Sequence, residues 1–113
     1  MVEIILRQEA INDLTDIWNY TLREWSEDQA DSYYNKMKLA CKMIRQNPNM
    51  GKKYTEVQEH LFGLKSGKHI IFYHLISDSE IEIIRILHER MDLKSKIEKQ
   101  EVKRNQLTEK AFF

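Results

Sequence analysis

The sequence predicts an α+β fold in which an antiparallel β-sheet is covered on one face by an N-terminal helical hairpin. Three observations predict this class: two long strands rich in β-branched and aromatic residues within 69–88, two amphipathic stretches within 8–46, and a hydrophobic period that changes twice along the chain. A chain of 113 residues has room for one domain with a modest core. We expect that domain to span residues 1–96, and residues 97–113 to form a polar extension that is helical or disordered.

The first half of the chain predicts one strand followed by two helices. Residues 2–6 are a short apolar run typical of a strand. A helix should begin near Gln8, because apolar residues then recur at spacings of three and four and are expected to face the core: Ile11, Leu14, Ile17, Trp18, Leu22 and Trp25. Ser26 and Gln29 match a capping box, so a second helix should begin at Ser26. It should end before Pro48, since the residue preceding a proline avoids helical dihedral angles.

The second half predicts three strands, which gives the order β-α-α-β-β-β with a weak helix at the end. A short strand at 61–64 precedes a hairpin of residues 69–76 and 80–88. Strict alternation puts residues 71, 73 and 75 opposite 70, 72 and 76, and residues 81, 83 and 87 opposite 84 and 86. All of these residues are apolar or aromatic, so both faces need cover, from the rest of the chain or from a partner. Asp92 can cap a last helix that only Leu93 and Ile97 hold in place.

Composition and motifs exclude several classes of function. The formal net charge is zero, so there is no global signal for binding nucleic acid or a membrane surface. No apolar run approaches the roughly 20 residues that span a bilayer, and no N-terminal signal segment is expected. One cysteine, Cys41, rules out an internal disulfide, fits a reducing cytoplasm and is expected in the core. His69 and His74 should face opposite sides of one strand, so we expect no metal and no cofactor.

Five segments of the sequence resemble the RelE/ParE toxin superfamily, and its ParE branch in particular. In chain order they are AINDL with IWNY in residues 10–20, WSEDQA in 25–30, NPNMG in 47–51, GKHIIFY in 67–73 and IRILHERMD in 84–92. They cover about residues 2–93 in the order and spacing of that family, and the tail from about residue 97 lies outside the resemblance.

The resemblance implies a toxin of a type II toxin–antitoxin pair, held in a hetero-oligomer with a cognate ParD-like antitoxin. ParE toxins inhibit DNA gyrase, whereas RelE toxins on the same fold are ribosome-dependent mRNA endonucleases, and fold alone does not separate the two. We expect a cytoplasmic, non-catalytic gyrase inhibitor with no sequence-specific DNA binding of its own. The alternatives are a RelE-like mRNA endonuclease and a non-toxic interaction module.

RNA cleavage would require a general base, a general acid and a cation that holds the phosphate. The candidates for these roles are Lys65, Lys68, His69, Arg85, His88 and Arg90. His88 and Arg90 should share one face of a strand, and with Arg85 they form the nuclease alternative; otherwise they only close the strand structurally. Arg85 lies between apolar residues, so it must meet an acid of its own chain or anchor a partner, and we favour the partner.

Partner binding has its own candidates, which for the most part are basic residues on the sheet and just after it. They are Arg85, Arg90, Lys94, Lys65 and Lys68. We expect the antitoxin to lie in the groove on the sheet and along the helical hairpin. The basic stretch after the last strand should be loosely held, and it is either a surface that engages a large target or a solvated tail. In the first case a chain truncated before Leu93 should still fold and bind its antitoxin but fail to poison gyrase.

Overall fold

The computed structural model describes residues 2–93, 96–97 and 108–110, and these residues confirm the predicted α+β class. The elements are β1 (Glu3–Arg7), α1 (Gln8–Glu24), α2 (Glu27–Gln46), β2 (Lys52–Lys53), β3 (Phe62–Ser66), β4 (His69–Ser77), β5 (Glu80–His88) and β6 (Thr108–Lys110). The strands form one sheet in the order β2-β3-β4-β5-β1-β6. All neighbouring strands are antiparallel except β1 and β5, which run parallel.

Local sequence signals account for the helix boundaries. The Ser26 hydroxyl accepts a hydrogen bond from the Gln29 amide at 3.1 Å, which caps α2 as predicted. The helix ends at Gln46, before Pro48, and α1 begins at Gln8 directly after β1. Within the part of the chain that the structure describes, no helix is long and apolar enough to cross a membrane.

Two hydrophobic clusters cover the two faces of the sheet. The first lies under the helices and includes Ile4, Leu6, Ala10, Met37, Cys41, Ile44, Ile71, Tyr73, Ile81, Ile83 and Ile86. The second lies on the opposite face and includes Leu61, Ile70, Phe72, Ile84, Leu87 and Ile97, with Tyr54, Val57 and Leu93 packed against it. The chain itself therefore covers both faces, so the second face gives no argument for a partner.

The stretch after β5 is held more firmly than its sequence suggests. Leu93, Lys96 and Ile97 are helical, and the Lys96 amide donates to the Asp92 carbonyl oxygen at 3.2 Å. Ile97 is completely buried in the second cluster. The expectation of a loosely held segment is therefore wrong for these residues, because one fully inserted isoleucine anchors the helical turn to the sheet.

A bulge in β5 overturns the predicted faces at the end of that strand. Phe72 pairs with Arg85 but Tyr73 pairs with Ile83, so Ile84 is an extra residue in the ladder. Beyond the bulge, Ile86 packs in the first cluster and Leu87 in the second, opposite to strict alternation.

The end of α1 also differs from expectation. Trp25 is 72% exposed and Leu22 is exposed, because the last turn of α1 and the link to α2 lie beyond the packed clusters. Trp18 is half-buried and makes an edge-on contact with Tyr34, with ring centroids 6.2 Å apart. The prediction of a core position is therefore wrong for Leu22 and Trp25.

Two short strands were not predicted. β2 consists of two lysines, and β6 lies in the polar tail, where it pairs with β1 through three residue pairs. Neither has the apolar alternation that reveals a strand in a sequence. The rest of the predicted C-terminal extension, residues 98–107 and 111–113, lies outside the described residues, as does the candidate Lys94.

Candidate functional site

A cleft with a volume of about 780 Å³ opens between the hairpin and the end of the sheet. The second half of α1, the α1–α2 link and the first turns of α2 form one wall, and the β3–β4 turn and the end of β5 form the other. Its lining is largely aromatic and basic, with one acidic residue, and includes Asp16, Tyr20, Trp25, Tyr33, Lys68, His69, His88, Arg90 and Met91. Four of the six candidates for RNA chemistry, Lys68, His69, His88 and Arg90, therefore meet in one place.

Tyr33 on α2 organises the inner end of the cleft. Its hydroxyl lies 2.6 Å from Nδ1 of His69 and accepts a hydrogen bond from the Lys68 amide at 3.1 Å. Gly67 makes room for the ring: its φ is +61°, and a Cβ there would lie 2.6 Å from a Tyr33 ring carbon. The tight turn between β3 and β4 therefore depends on glycine for two reasons, the backbone angle and the space.

The two histidines of the cleft face each other across β4 and β5. His69 and His88 are register partners, and their rings meet edge-on with centroids 5.3 Å apart. Burial, reinforced by the neighbouring His88, lowers the pKa of His69 to about 4, so His69 is neutral at pH 7. The hydroxyl of Tyr33, whose own pKa burial raises, lies closer to His69 Nδ1 than to the Ser66 carbonyl oxygen at 3.3 Å. We therefore assign the Tyr33 proton to the bond with Nδ1.

His88 and Arg90 both line the cleft, but not as neighbours on one face of a strand. β5 ends at His88, and Arg90 lies in the turn that follows. The Arg90 amide donates to Nδ1 of His88 at 3.1 Å. This bond fixes the imidazole and leaves the guanidinium of Arg90 exposed at the mouth of the cleft.

Arg85 lies outside the cleft and pairs with an acid of its own chain. Its guanidinium donates to both carboxylate oxygens of Asp13, at 2.7 and 2.8 Å. Asp13 also accepts from the Ile86 amide at 3.0 Å. The hydrogen bond with Asp13 raises the pKa of Arg85. The preference for Arg85 as a partner anchor is therefore corrected, because its bidentate site is already occupied.

The remaining candidates are distributed as follows. Lys65 pairs with Glu89 at 3.0 Å on the exposed surface, and this hydrogen bond lowers the pKa of Glu89. Cys41 is buried in α2, and burial raises the pKa of its thiol to about 12. In the described ranges, no three side chains of the His, Cys, Asp or Glu type are grouped to hold a metal ion.

Sequence reasoning missed the aromatic wall of the cleft. Tyr33 belongs to a periodic apolar stripe, as core residues do. Tyr20 lies in the last two turns of α1 and Trp25 directly after the helix, and periodicity does not show where the packed part of a helix stops. The one signal in the sequence is that Trp25 directly precedes the helix cap at Ser26, which could have suggested that Trp25 lies outside the core.

The α1–α2 hairpin on a sheet of this order defines the class of small toxins to which the sequence segments pointed. A family model described as the ParE toxin of the type II toxin–antitoxin system parDE matches residues 4–93. The chain therefore belongs to the ParE toxin family.

Individual relatives agree with this assignment. The chain is 32% identical over 89 residues to Toxin ParE1 of Mycobacterium tuberculosis, which covers 79% of this chain and 91% of that protein. It is 32% identical over 90 residues to Toxin ParE1 of Caulobacter vibrioides, covering 80% and 92%. A solved structure of the chromosomal ParDE toxin–antitoxin system from P. aeruginosa shares the fold, with a TM-score of 0.67 at 18% identity over 78% of this chain and 96% of the other.

Proposed function

We propose that this ParE toxin acts in the cytoplasm by binding and inhibiting DNA gyrase, without catalysis, and that a cognate ParD-like antitoxin neutralises it in a hetero-oligomer. The main support for a non-catalytic mechanism is the ion pair in which Asp13 binds the guanidinium of Arg85. A guanidinium held by a carboxylate is not available to stabilise a scissile phosphate. The ParE resemblance supports gyrase as the target.

The hydrogen bonds of the two cleft histidines also argue against a nuclease. The pKa of His69 is lowered to about 4, so its imidazole cannot act as a general acid near pH 7, and its Nδ1 is bonded to the Tyr33 hydroxyl. The Nδ1 of His88 is bonded to a backbone amide. A RelE-like mRNA endonuclease stays the second candidate for one reason: Lys68, His88 and Arg90 still line a single cleft.

A supercoiling assay with purified gyrase, set beside a cell-free translation assay, tests the proposal. The wild-type toxin should inhibit supercoiling and leave mRNA intact. The variant His88→Ala should lose no more than a few fold in gyrase inhibition, because inhibition by binding requires no proton transfer and the His88 ring only supports the cleft through His69 and the Arg90 amide. Cleavage of mRNA by the wild type, lost by several orders of magnitude in a folded His88→Ala variant, would establish the nuclease instead.

The antitoxin proposal rests on two large apolar side chains of α2 that are exposed among the residues the structure describes. Leu39 is 58% exposed and Met43 is 41% exposed, and their spacing of four puts them on one side of α2. We propose that an amphipathic segment of the antitoxin packs on this ridge, since apolar anchors in a groove are a common mode of helix recognition. This agrees with the predicted position along the hairpin but not with cover of the second sheet face.

The ridge can be tested with matched apolar-to-polar variants. Replacing Leu39 and Met43 by serine should weaken antitoxin binding at least tenfold in a titration. Serine at Leu75 and Ile76, which are also exposed but lie near the β4–β5 turn, should leave the affinity unchanged. Equal effects of the two pairs would remove the ridge as the antitoxin site.

A further inference from the structure

The cleft combines two basic side chains, Lys68 and Arg90, with one acidic side chain, Asp16. Lys68 and Arg90 are both exposed at its wall, and among the described residues neither forms an ion pair. Two other basic residues of the sheet are neutralised, Lys65 by Glu89 and Arg85 by Asp13. With Lys68 and Arg90 against Asp16, the lining of the cleft keeps an excess of positive charge, which complements an acidic ligand.

The same cleft presents aromatic and thioether side chains to solvent. Trp25 is 72% exposed, Tyr20 55% and Met91 46%. Leaving large apolar groups in water is unfavourable, and Trp, Tyr and Met are enriched where proteins bind one another. Tyr20 and Trp25 lie at the end of α1 and in the link to α2, so both are carried by the hairpin.

The inner end of the cleft is rigid. The Tyr33 hydroxyl bonds to His69, the rings of His69 and His88 are in contact, and the Arg90 amide is bonded to His88. A preformed site loses little conformational entropy on binding, which favours specific binding of one ligand over nonspecific adsorption. A volume of about 780 Å³ is within the range of built binding pockets.

Building on the proposed function, we propose that this cleft is the surface that engages gyrase, through an acidic segment of gyrase that carries a bulky apolar side chain. Trp25, Tyr20 and Met91 receive the apolar group. Lys68 and Arg90 receive one or two carboxylates beside it.

The chemistry of the two exposed surfaces separates the two partners. Permanent complexes use the more hydrophobic interfaces, whereas partners that associate and dissociate meet through polar surfaces with aromatic and arginine anchors. The ridge of Leu39 and Met43 has the hydrophobic character of a permanent interface. The cleft has the polar character and the aromatic and arginine anchors of an interface that forms and dissociates. The antitoxin is therefore assigned to the ridge, and gyrase to the cleft.

The test measures gyrase inhibition and antitoxin affinity for the same full-length variants. Trp25→Ala and the double variant Lys68→Glu/Arg90→Glu should each need at least tenfold more toxin for half-maximal inhibition of supercoiling. Both should bind the antitoxin with wild-type affinity, which also shows that they fold. The control Lys42→Glu/Lys53→Glu makes the same change of net charge at exposed sites outside the cleft lining and should inhibit like wild type.

Each other outcome has a definite meaning. If the wild-type toxin does not inhibit gyrase, the proposed function fails before the cleft is tested. If the wild type inhibits and the folded cleft variants inhibit equally well, the cleft is not the gyrase surface. If the cleft variants lose antitoxin binding but still inhibit gyrase, the cleft belongs to the antitoxin and the inference is overturned.

Discussion

The ion pair between Asp13 and Arg85 joins α1 to β5 at a place where the sheet lacks a strand. β1 pairs with β5 only as far as Ile83, so at Ile86 the strand β5 is paired with β4 on one side and has no strand on the β1 side. Asp13 supplies the missing acceptor at 3.0 Å and holds the guanidinium as well. Burial raises the pKa of Asp13, while Arg85 and the Ile86 amide oppose that effect. The Asp13 carboxylate therefore neutralises the guanidinium of Arg85 and also accepts the hydrogen bond of a backbone amide at the edge of the sheet.

Replacing Asp13 with alanine should destabilise the fold by about 3 kcal/mol, since it leaves a largely buried guanidinium and a backbone amide without partners. Chemical denaturation measures the loss. Asp16→Ala, one turn along α1 at an exposed position, should change stability by no more than about 0.5 kcal/mol. Equal losses for the two variants would show that helix charge, not the ion pair, is responsible.

His69 should make stability depend on pH. Its pKa is about 4 in the folded protein against an ordinary value of 6.5, so between these values the unfolded chain binds a proton that the folded chain does not. Its contribution is fully present above pH 6.5 and is lost as the pH falls toward 4. His88 and Glu89 are the titratable neighbours that act on it.

Denaturation at pH 7 and pH 4.5 checks this effect. His69→Asn, whose side-chain oxygen can still accept the Tyr33 hydrogen bond, should reduce the loss of stability between the two values. His60→Asn removes an exposed imidazole at a positive φ that asparagine tolerates, and it should leave the loss as in wild type. An unchanged pH dependence in His69→Asn would contradict the assignment.

Secondary-structure elements follow closely from the sequence where a local signal exists. The capping box determines where α2 begins, and Pro48 determines where it ends. The β-branched residues of 80–88 predict the strand β5. The bulge at Ile84 has no such signal, because isoleucine suits either face and the extra residue is fixed by pairing with β4. The cleft was predictable only in its basic residues, since its aromatic wall depends on where the hairpin ends relative to the sheet.

Gly67→Ala should destabilise the β3–β4 turn by at least about 1 kcal/mol, the usual cost of a left-handed backbone angle. The new methyl group also meets the Tyr33 ring, so the turn and the cleft should be disturbed together. A double-mutant cycle separates the two effects. In a Tyr33→Ala background only the backbone cost should persist, and an identical cost in both backgrounds would exclude the steric contact.

At the scale of the whole molecule, the chain buries both faces of its sheet without a partner. The helices cover one face, and residues 54–61 together with Leu93 and Ile97 cover the other. Leu93 and Ile97 are therefore part of the fold, and truncation before Leu93 removes both from the cluster on the second face. We now expect that truncation to destabilise the protein, contrary to the expectation from the sequence.

Ile97→Ala isolates this contribution in the full-length chain. It should cost about 2–4 kcal/mol, as removal of a buried isoleucine side chain usually does. Lys96→Ala, at the exposed neighbouring position, should be close to neutral. Thermal unfolding of the two variants measures the difference, and a neutral Ile97→Ala would show that the second face does not need this cover.

Because Cys41 is buried, the reactivity of its thiol measures how often α2 separates from the sheet. The thiol is 1% exposed with a pKa of about 12, so on the order of 10⁻⁴ of it is thiolate at pH 8, too little to react quickly with disulfide reagents such as DTNB. Labelling should therefore follow the rare molecules in which α2 has left the sheet. Because the proposed antitoxin ridge is on the same helix, bound antitoxin should slow labelling of the native toxin in proportion to its saturation. The rate at which this single native cysteine reacts, measured by absorbance, thus reports antitoxin binding without an attached label.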